Sequence, residues 1–276
     1  MKLSLILFFG FLSKAIYSHD VLIFEAPMAE IPVEFLDLVS LDTKDQIYAS
    51  NTSGDIYLFD QKGKQINVYS PTRQARLHQL EASWTVNIFG FSADLQEYRV
   101  LDRFLNPIAE NNFQLNEVTL PKAATLGNNN VIWVWDESDL SLKTLDYLRN
   151  LVIQSQPLNL ILDSEDLKVS EIREFKNRLF MNVPDSGIFI FDNQGNFLKK
   201  VTLMIDQRMC FYKESLFWVE GRSLKMYSLQ SQAIFDLGTL PSKDVQYLQI
   251  GQEHIALVKK NLISIYPLPQ GLRQMK

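Results

Sequence analysis

Ile47 to Asp60 reads IYASNTSGDIYLFD, and Leu179 to Asp192 reads LFMNVPDSGIFIFD. Each stretch is a short apolar run, a polar turn containing glycine, and a second apolar run ending in aspartate. Runs rich in Ile, Phe and Tyr, bounded by Gly, Asn, Asp and Pro, are what strands joined by tight turns require. The frame recurs one residue longer at Ile88–Asp102 (IFGFSADLQEYRVLD) and Ile132–Asp146 (IWVWDESDLSLKTLD). It recurs one residue shorter at Leu216–Ser228 (LFWVEGRSLKMYS) and Ile255–Pro267 (IALVKKNLISIYP). The starts at 47, 88, 132, 179, 216 and 255 lie 41, 44, 47, 37 and 39 residues apart. Six units of about forty residues predict an all-β fold, a six-bladed β-propeller.

Each unit extends to four strands. An inner strand precedes the frame, as in Phe35–Asp42 and Val245–Ile250, and an outer strand follows the aspartate turn, as in Gln65–Tyr69 and Phe197–Leu203. The sixth unit has no outer strand of its own, because Pro267-Leu268-Pro269 follows its third. The run Val21–Glu25 near the N-terminus is the spare strand, and pairing it with the last unit would close the ring. The second position of the frame is Tyr48, Phe89, Trp133, Phe180, Phe217 and Ala256. Five aromatics there point to packing between neighbouring blades, with a base- or sugar-stacking ladder as the sharper alternative.

Asp55-Ile56-Tyr57-Leu58-Phe59-Asp60 and the run from Ile188 to Leu198 resemble blades of six-bladed propellers of the NHL and TolB-like kind. The resemblance spans nearly the whole chain after residue 18. It implies the propeller fold and a binding or scaffolding role, and it carries over no catalytic residue. The blade motifs typical of WD40, kelch and quinoprotein propellers are absent, and the fifth and sixth units lack the turn aspartate.

The composition fits this picture. In 276 residues, 46% are hydrophobic and 21% charged, which excludes a disordered chain. A net charge of −5 without a long Lys/Arg run argues against a nucleic-acid partner. Residues 1–18, MKLSLILFFGFLSKAIYS, place Lys2 before the apolar run Leu3–Leu12 and small residues around Ala15 and Ser18. That is the layout of a secretory signal peptide, and the apolar run is too short to span a bilayer. The reading is therefore an exported, periplasmic or extracellular protein without a transmembrane anchor in its mature chain, folded as one domain over residues 19–276.

The chemistry-bearing motifs are sparse. Cys210 is the lone cysteine and lies in the apolar run Met209–Tyr212, so it reads as a buried hydrophobe. His19, His78 and His254 fall in no ligand spacing, and there is no nucleophile elbow, phosphate loop or dinucleotide fingerprint. Asp163-Ser164-Glu165-Asp166 is an acidic loop without the alternation of a calcium loop. Inner-strand carboxylates such as Asp37, Glu81 and Glu171 are scattered in sequence. Asn51-Thr52-Ser53 is a formal glycosylation sequon. No catalytic residue, metal ligand or cofactor is assigned.

The connections between blades and the turns between second and third strands emerge on one side of a propeller. That side would gather Arg73, Arg76, Arg208 and Trp135, together with Asn51, Asp136 and Arg222. Arg and Trp most often dominate binding energy, since each buries a large area and makes several contacts. The functional reading is a binding or scaffolding module for a protein or cell-envelope partner, with Arg73, Arg76, Trp135 and Arg208 as anchors. The alternative is a metal-assisted hydrolase or lactonase in the central channel, which would need three or four convergent carboxylates or amides.

Overall fold

The computed structural model describes residues 22–82, 86–162 and 167–275. The expected signal peptide, His19 and the acidic loop 163–166 lie outside them. The described chain forms six four-stranded antiparallel sheets, the blades of a six-bladed β-propeller. The first blade comprises β2 (Leu36–Leu41), β3 (Ile47–Asn51), β4 (Ile56–Phe59) and β5 (Gln65–Tyr69). The second comprises β6 (Gln79–Glu81), β7 (Asn87–Ser92), β8 (Glu97–Asp102) and β9 (Pro107–Asn112). The third runs β10 (Pro121–Leu126), β11 (Val131–Asp136), β12 (Ser141–Asp146), β13 (Leu151–Pro157), and the fourth β14 (Glu171–Phe175), β15 (Arg178–Val183), β16 (Gly187–Asp192), β17 (Phe197–Val201). The fifth is β18 (Cys210–Tyr212), β19 (Ser215–Glu220), β20 (Ser223–Ser228) and β21 (Ile234–Thr239). The sixth joins β22 (Tyr247–Ile250), β23 (His254–Lys259) and β24 (Leu262–Pro267) to an outer strand from the N-terminal side, β1 (Ala29–Pro32).

The recurring aspartate has a local cause. Asp60 Oδ1 accepts the backbone N–H groups of Lys62 and Lys64, both at 2.9 Å. Asp102 does the same for Phe104 and Asn106, and Asp192 for Gln194 and Asn196. Each carboxylate thus satisfies the orphan amides of its own turn. The turn needs a left-handed residue three places on, which Gly63 and Gly195 supply at φ of 80° and 82°. Leu105 adopts the same conformation at φ 69° without that freedom.

The core is not one mass but six, one between each pair of blades. Tyr48 packs between the first and second blades, Phe89 between the second and third, and Trp133 between the third and fourth. Phe180 packs between the fourth and fifth, Phe217 between the fifth and sixth, and Ala256 between the sixth and first. The second frame position therefore packs between blades, which accounts for its apolar character. Trp133, Phe180 and Phe217 are 4%, 1% and 0% exposed, so their faces are not open for stacking a ligand.

The closing strand is a correction. Pairing runs Ala29 to Ile265 through Pro32 to Leu262, and Leu22–Glu25 lie in no strand. The apolar run expected to pair is used for packing instead. Leu22 is buried in the core between the fifth and sixth blades, and its N–H donates to Leu237 O at 3.1 Å. Phe24 meets Tyr266 edge-to-face, with ring centroids 5.7 Å apart. Only three residues separate Pro32 from β2, so the segment next to the first blade is the one that reaches the edge of β24. Pro32 is tolerable there because an edge strand spares one row of N–H groups.

Candidate functional site

The inner strands bring scattered charges together across the channel. In Gln79-Leu80-Glu81 and Glu171-Ile172-Arg173 the polar residues alternate with an apolar one, so both polar side chains of each strand share a face. Arg173 of the fourth blade stands 4.0 Å from Glu81 of the second and 3.9 Å from Glu171. Gln79 Nε2 donates to Glu81 Oε1 at 2.5 Å and reaches Glu171 Oε1 at 3.4 Å. Glu171 Oε2 also accepts the Met209 N–H at 2.9 Å, tying the fifth blade to the fourth. Burial pushes the Glu81 carboxyl above its ordinary range, against the pull of Arg173 and the hydrogen bond from Gln79. Glu81 and Glu171 are thus neither scattered nor open, since each lies at ion-pair distance from Arg173, while Asp37 pairs with Arg76 instead. Among the described residues no group of three His, Cys, Asp or Glu side chains is placed to hold a metal ion.

Above this network lies the mouth of the channel. Arg208, in the connection leading to the fifth blade, reaches the second: it donates to Gln79 Oε1 at 3.1 Å and to the His78 carbonyl oxygen. Arg76 forks onto Asp37 through Nε and Nη2, both at 2.8 Å, while its side chain stays 58% exposed. The Tyr247 hydroxyl donates to the Asp37 carbonyl at 3.1 Å. His78 links the two arginines in the chain's layout, since Arg208 donates to its carbonyl oxygen and Arg76 lies two residues before it. Its Nδ1 accepts the Ala93 N–H at 3.1 Å, which places the proton of the neutral ring on Nε2. Burial holds the His78 imidazole below its ordinary pKa, with Arg76 and Arg208 acting in the same direction against Asp94.

Arg73 belongs to a separate groove at the junction of the first and second blades. This cavity of about 300 Å³ is lined by Tyr69, Arg73, Glu97, Arg99 and Glu110, among others. Arg99 is buried and lies 3.3 Å from Glu97 and 3.5 Å from Glu110, while Arg73 pairs with Glu97 from outside. Tyr69 donates its hydroxyl to Glu110. Arg99 carries no sequence signal beyond its place in a strand. Its role emerges only when the neighbouring loop folds over it.

The rim placement expected of Trp135 does not hold. The side chain is fully buried in the core between the third and fourth blades. Its neighbour Asp136 is also buried and anchors the rim: it accepts N–H groups of Thr119 and Leu120 at 2.8 and 2.9 Å and pairs with Lys143 at 2.7 Å. Asn51 is likewise engaged, donating to Asp55 and to the Tyr57 hydroxyl. The thiol of Cys210 is 1% exposed and burial pushes it up to about 12, so it is no nucleophile. The structure thus brings Arg208 onto the connection that carries Arg76, leaves Arg73 in the adjacent groove, and removes Trp135 from the surface.

No family model matches the chain, and no curated protein matches it. Solved structures do. The chain resembles the WD40 domain of Pan2 from Neurospora crassa at a TM-score of 0.63 and 9% identity, covering 88% of this chain and 94% of that one. It resembles the β-propeller domain of Cps50 (Swd1) from Myceliophteria thermophila at 0.59 and 10% identity, covering 87% and 98%. At such identities the likeness establishes the propeller fold alone.

Proposed function

We propose that the mature protein is an exported binding or scaffolding module. Its rim of interblade connections engages a protein or cell-envelope partner, and Arg73, Arg76 and Arg208 are the contact residues. The observation that carries this reading is the placement of the arginines. Arg208 donates to the His78 carbonyl oxygen, Arg76 lies two residues before His78 in the same connection, and Arg73 stands 62% exposed over the neighbouring groove. A binding surface needs such partly exposed, multiply donating side chains on rigidly held connections. The hydrolase alternative finds less support, because the channel carboxylates already face a guanidinium.

The test is site-specific photo-crosslinking in the native host. A crosslinking residue at position 73 should yield a protein adduct, whereas one at position 62, in the opposite turn of the first blade, should not. Equal adducts from both positions, or none from position 73, would overturn the proposal. Export is checked on the same preparation: the mature protein should lack residues 1–18 by mass spectrometry, and an intact N-terminus in a membrane fraction would contradict it.

A further inference from the structure

We infer that the mouth of the central channel is a carboxylate-recognition site that accepts an acidic peptide segment. The inference rests on the rim being a binding surface and names the chemistry of what binds there. Arg208 is the central group. A guanidinium offers five N–H donors, and among the described residues only two of Arg208's have acceptors, both of them neutral oxygens. Gln79 is held with its oxygen toward Arg208, because its amide nitrogen is committed to Glu81 and Glu171. Glu81 and Glu171, on the far side of Gln79, face Arg173 instead, and among the described residues no carboxylate lies at ion-pair distance from Arg208.

Two further donors belong to the connection that Arg208 contacts at His78. Arg76 uses only Nε and Nη2 on Asp37, and the neutral His78 ring carries its proton on Nε2, with Asp94 3.9 Å away. Of the carboxylates around the mouth, Asp37 has both oxygens in the fork with Arg76, and Asp94 is mostly exposed to solvent. What Arg208 lacks among the described residues is a carboxylate partner, and a planar guanidinium pairs with a carboxylate through two parallel N–H···O bonds. An anionic membrane is a poorer occupant. The chain carries a net charge of −5, so an extended negative surface is repelled, whereas a short acidic segment feels only the local arginines.

The experiment is fluorescence anisotropy of a fluorescein-labelled decapeptide of alternating Glu and Gly, titrated with the full mature chain at low and moderate salt. Arg208→Gln and Arg76→Gln should each weaken binding at least tenfold, and Lys62→Gln on the opposite rim by less than twofold. Thermal melts establish that each variant is folded. If Arg208→Gln fails to fold, Arg76→Gln decides, since its side chain is mostly exposed. Absence of binding by the wild-type protein, or an equal loss for Lys62→Gln, overturns the inference. So does sedimentation with phosphatidylglycerol vesicles in the absence of peptide binding. Crosslinks from position 73 that persist when the peptide does not bind would leave the rim as a binding surface and remove only the acidic ligand.

Discussion

Asp45 and His254, 209 positions apart in the chain, meet at 2.9 Å between Oδ2 and Nδ1 where the first and sixth blades join. The same carboxylate accepts the Gln252 N–H at 2.6 Å and the Glu253 N–H at 2.7 Å. It is nearly fully buried and packs so closely on Gly251 that a Cβ there would stand 1.9 Å from Oδ1. One side chain of the first blade therefore caps the first turn of the last.

Asp45→Ala should destabilise the protein by on the order of 2 kcal/mol, because it strands two backbone donors and an imidazole at a partly buried junction. Asp45→Asn, which retains one acceptor oxygen, should cost less. Chemical denaturation of the two variants checks the order. Equal stability of Asp45→Ala and wild type would mean the seam is held without this cap.

Acid should remove stability at Asp136. Burial alone would raise this carboxyl, but Lys143, the Ser138 hydroxyl and the N–H groups of Thr119 and Leu120 outweigh it and bring the pKa to about 2. A folded pKa below the unfolded one contributes stability above about pH 4, and this is lost as pH falls toward 2. The contribution is about 2 kcal/mol. Asp136→Asn should lower stability at pH 7 and flatten its decline between pH 4 and 2. A decline as steep as that of the wild type would place the acid sensitivity elsewhere.

Trp135→Ala should cost about 3–5 kcal/mol through the cavity left between the third and fourth blades. Trp135→Phe, which keeps more of the volume, should cost less. Partner crosslinking from position 73 should survive the milder replacement. Its loss in a folded Trp135→Phe protein would mean that this core position shapes the rim.

Two truncations separate packing from pairing at the N-terminus. A chain beginning at Met28 loses Leu22 and Phe24 but keeps β1, and should melt about 4–8 °C lower, in line with about 2 kcal/mol for a chain this long. A chain beginning at Val33 also loses β1 and exposes the edge of β24, which should produce aggregation visible by size-exclusion chromatography. A monomeric, unaltered melt for the shorter chain would show that β1 is dispensable.

The propeller was legible because its signal is repetition: one frame recurs at a near-constant period and fixes where strands two and three of every blade lie. The closing strand was misplaced because Val21–Glu25 is the better strand by composition, while the ring selects Ala29–Pro32 by its short tether to β2. Trp135 carried a readable warning. It stands two residues after Trp133 in a strand, hence on the same face, and Trp133 already read as interblade packing. The channel network was beyond reach, since contacts such as Gln79 with Arg208 exist only once a ring has brought the second blade opposite the fifth. The alternation of charge in Glu171-Ile172-Arg173 was its one trace.

The aspartate turns carry an implication for how such a chain grows. A turn whose carboxylate bonds only its own amides needs nothing from the rest of the molecule. A copied blade therefore arrives with that end finished, and only its flanks have to fit new neighbours. The aspartate is missing from the fifth and sixth blades, where Ser228 and Pro267 stand instead. Those are also the two blades that receive the N-terminal segment, through Leu22 on β21 and β1 on β24. The turn aspartate is thus absent where the incoming N-terminus lends a second means of holding the blade's outer edge.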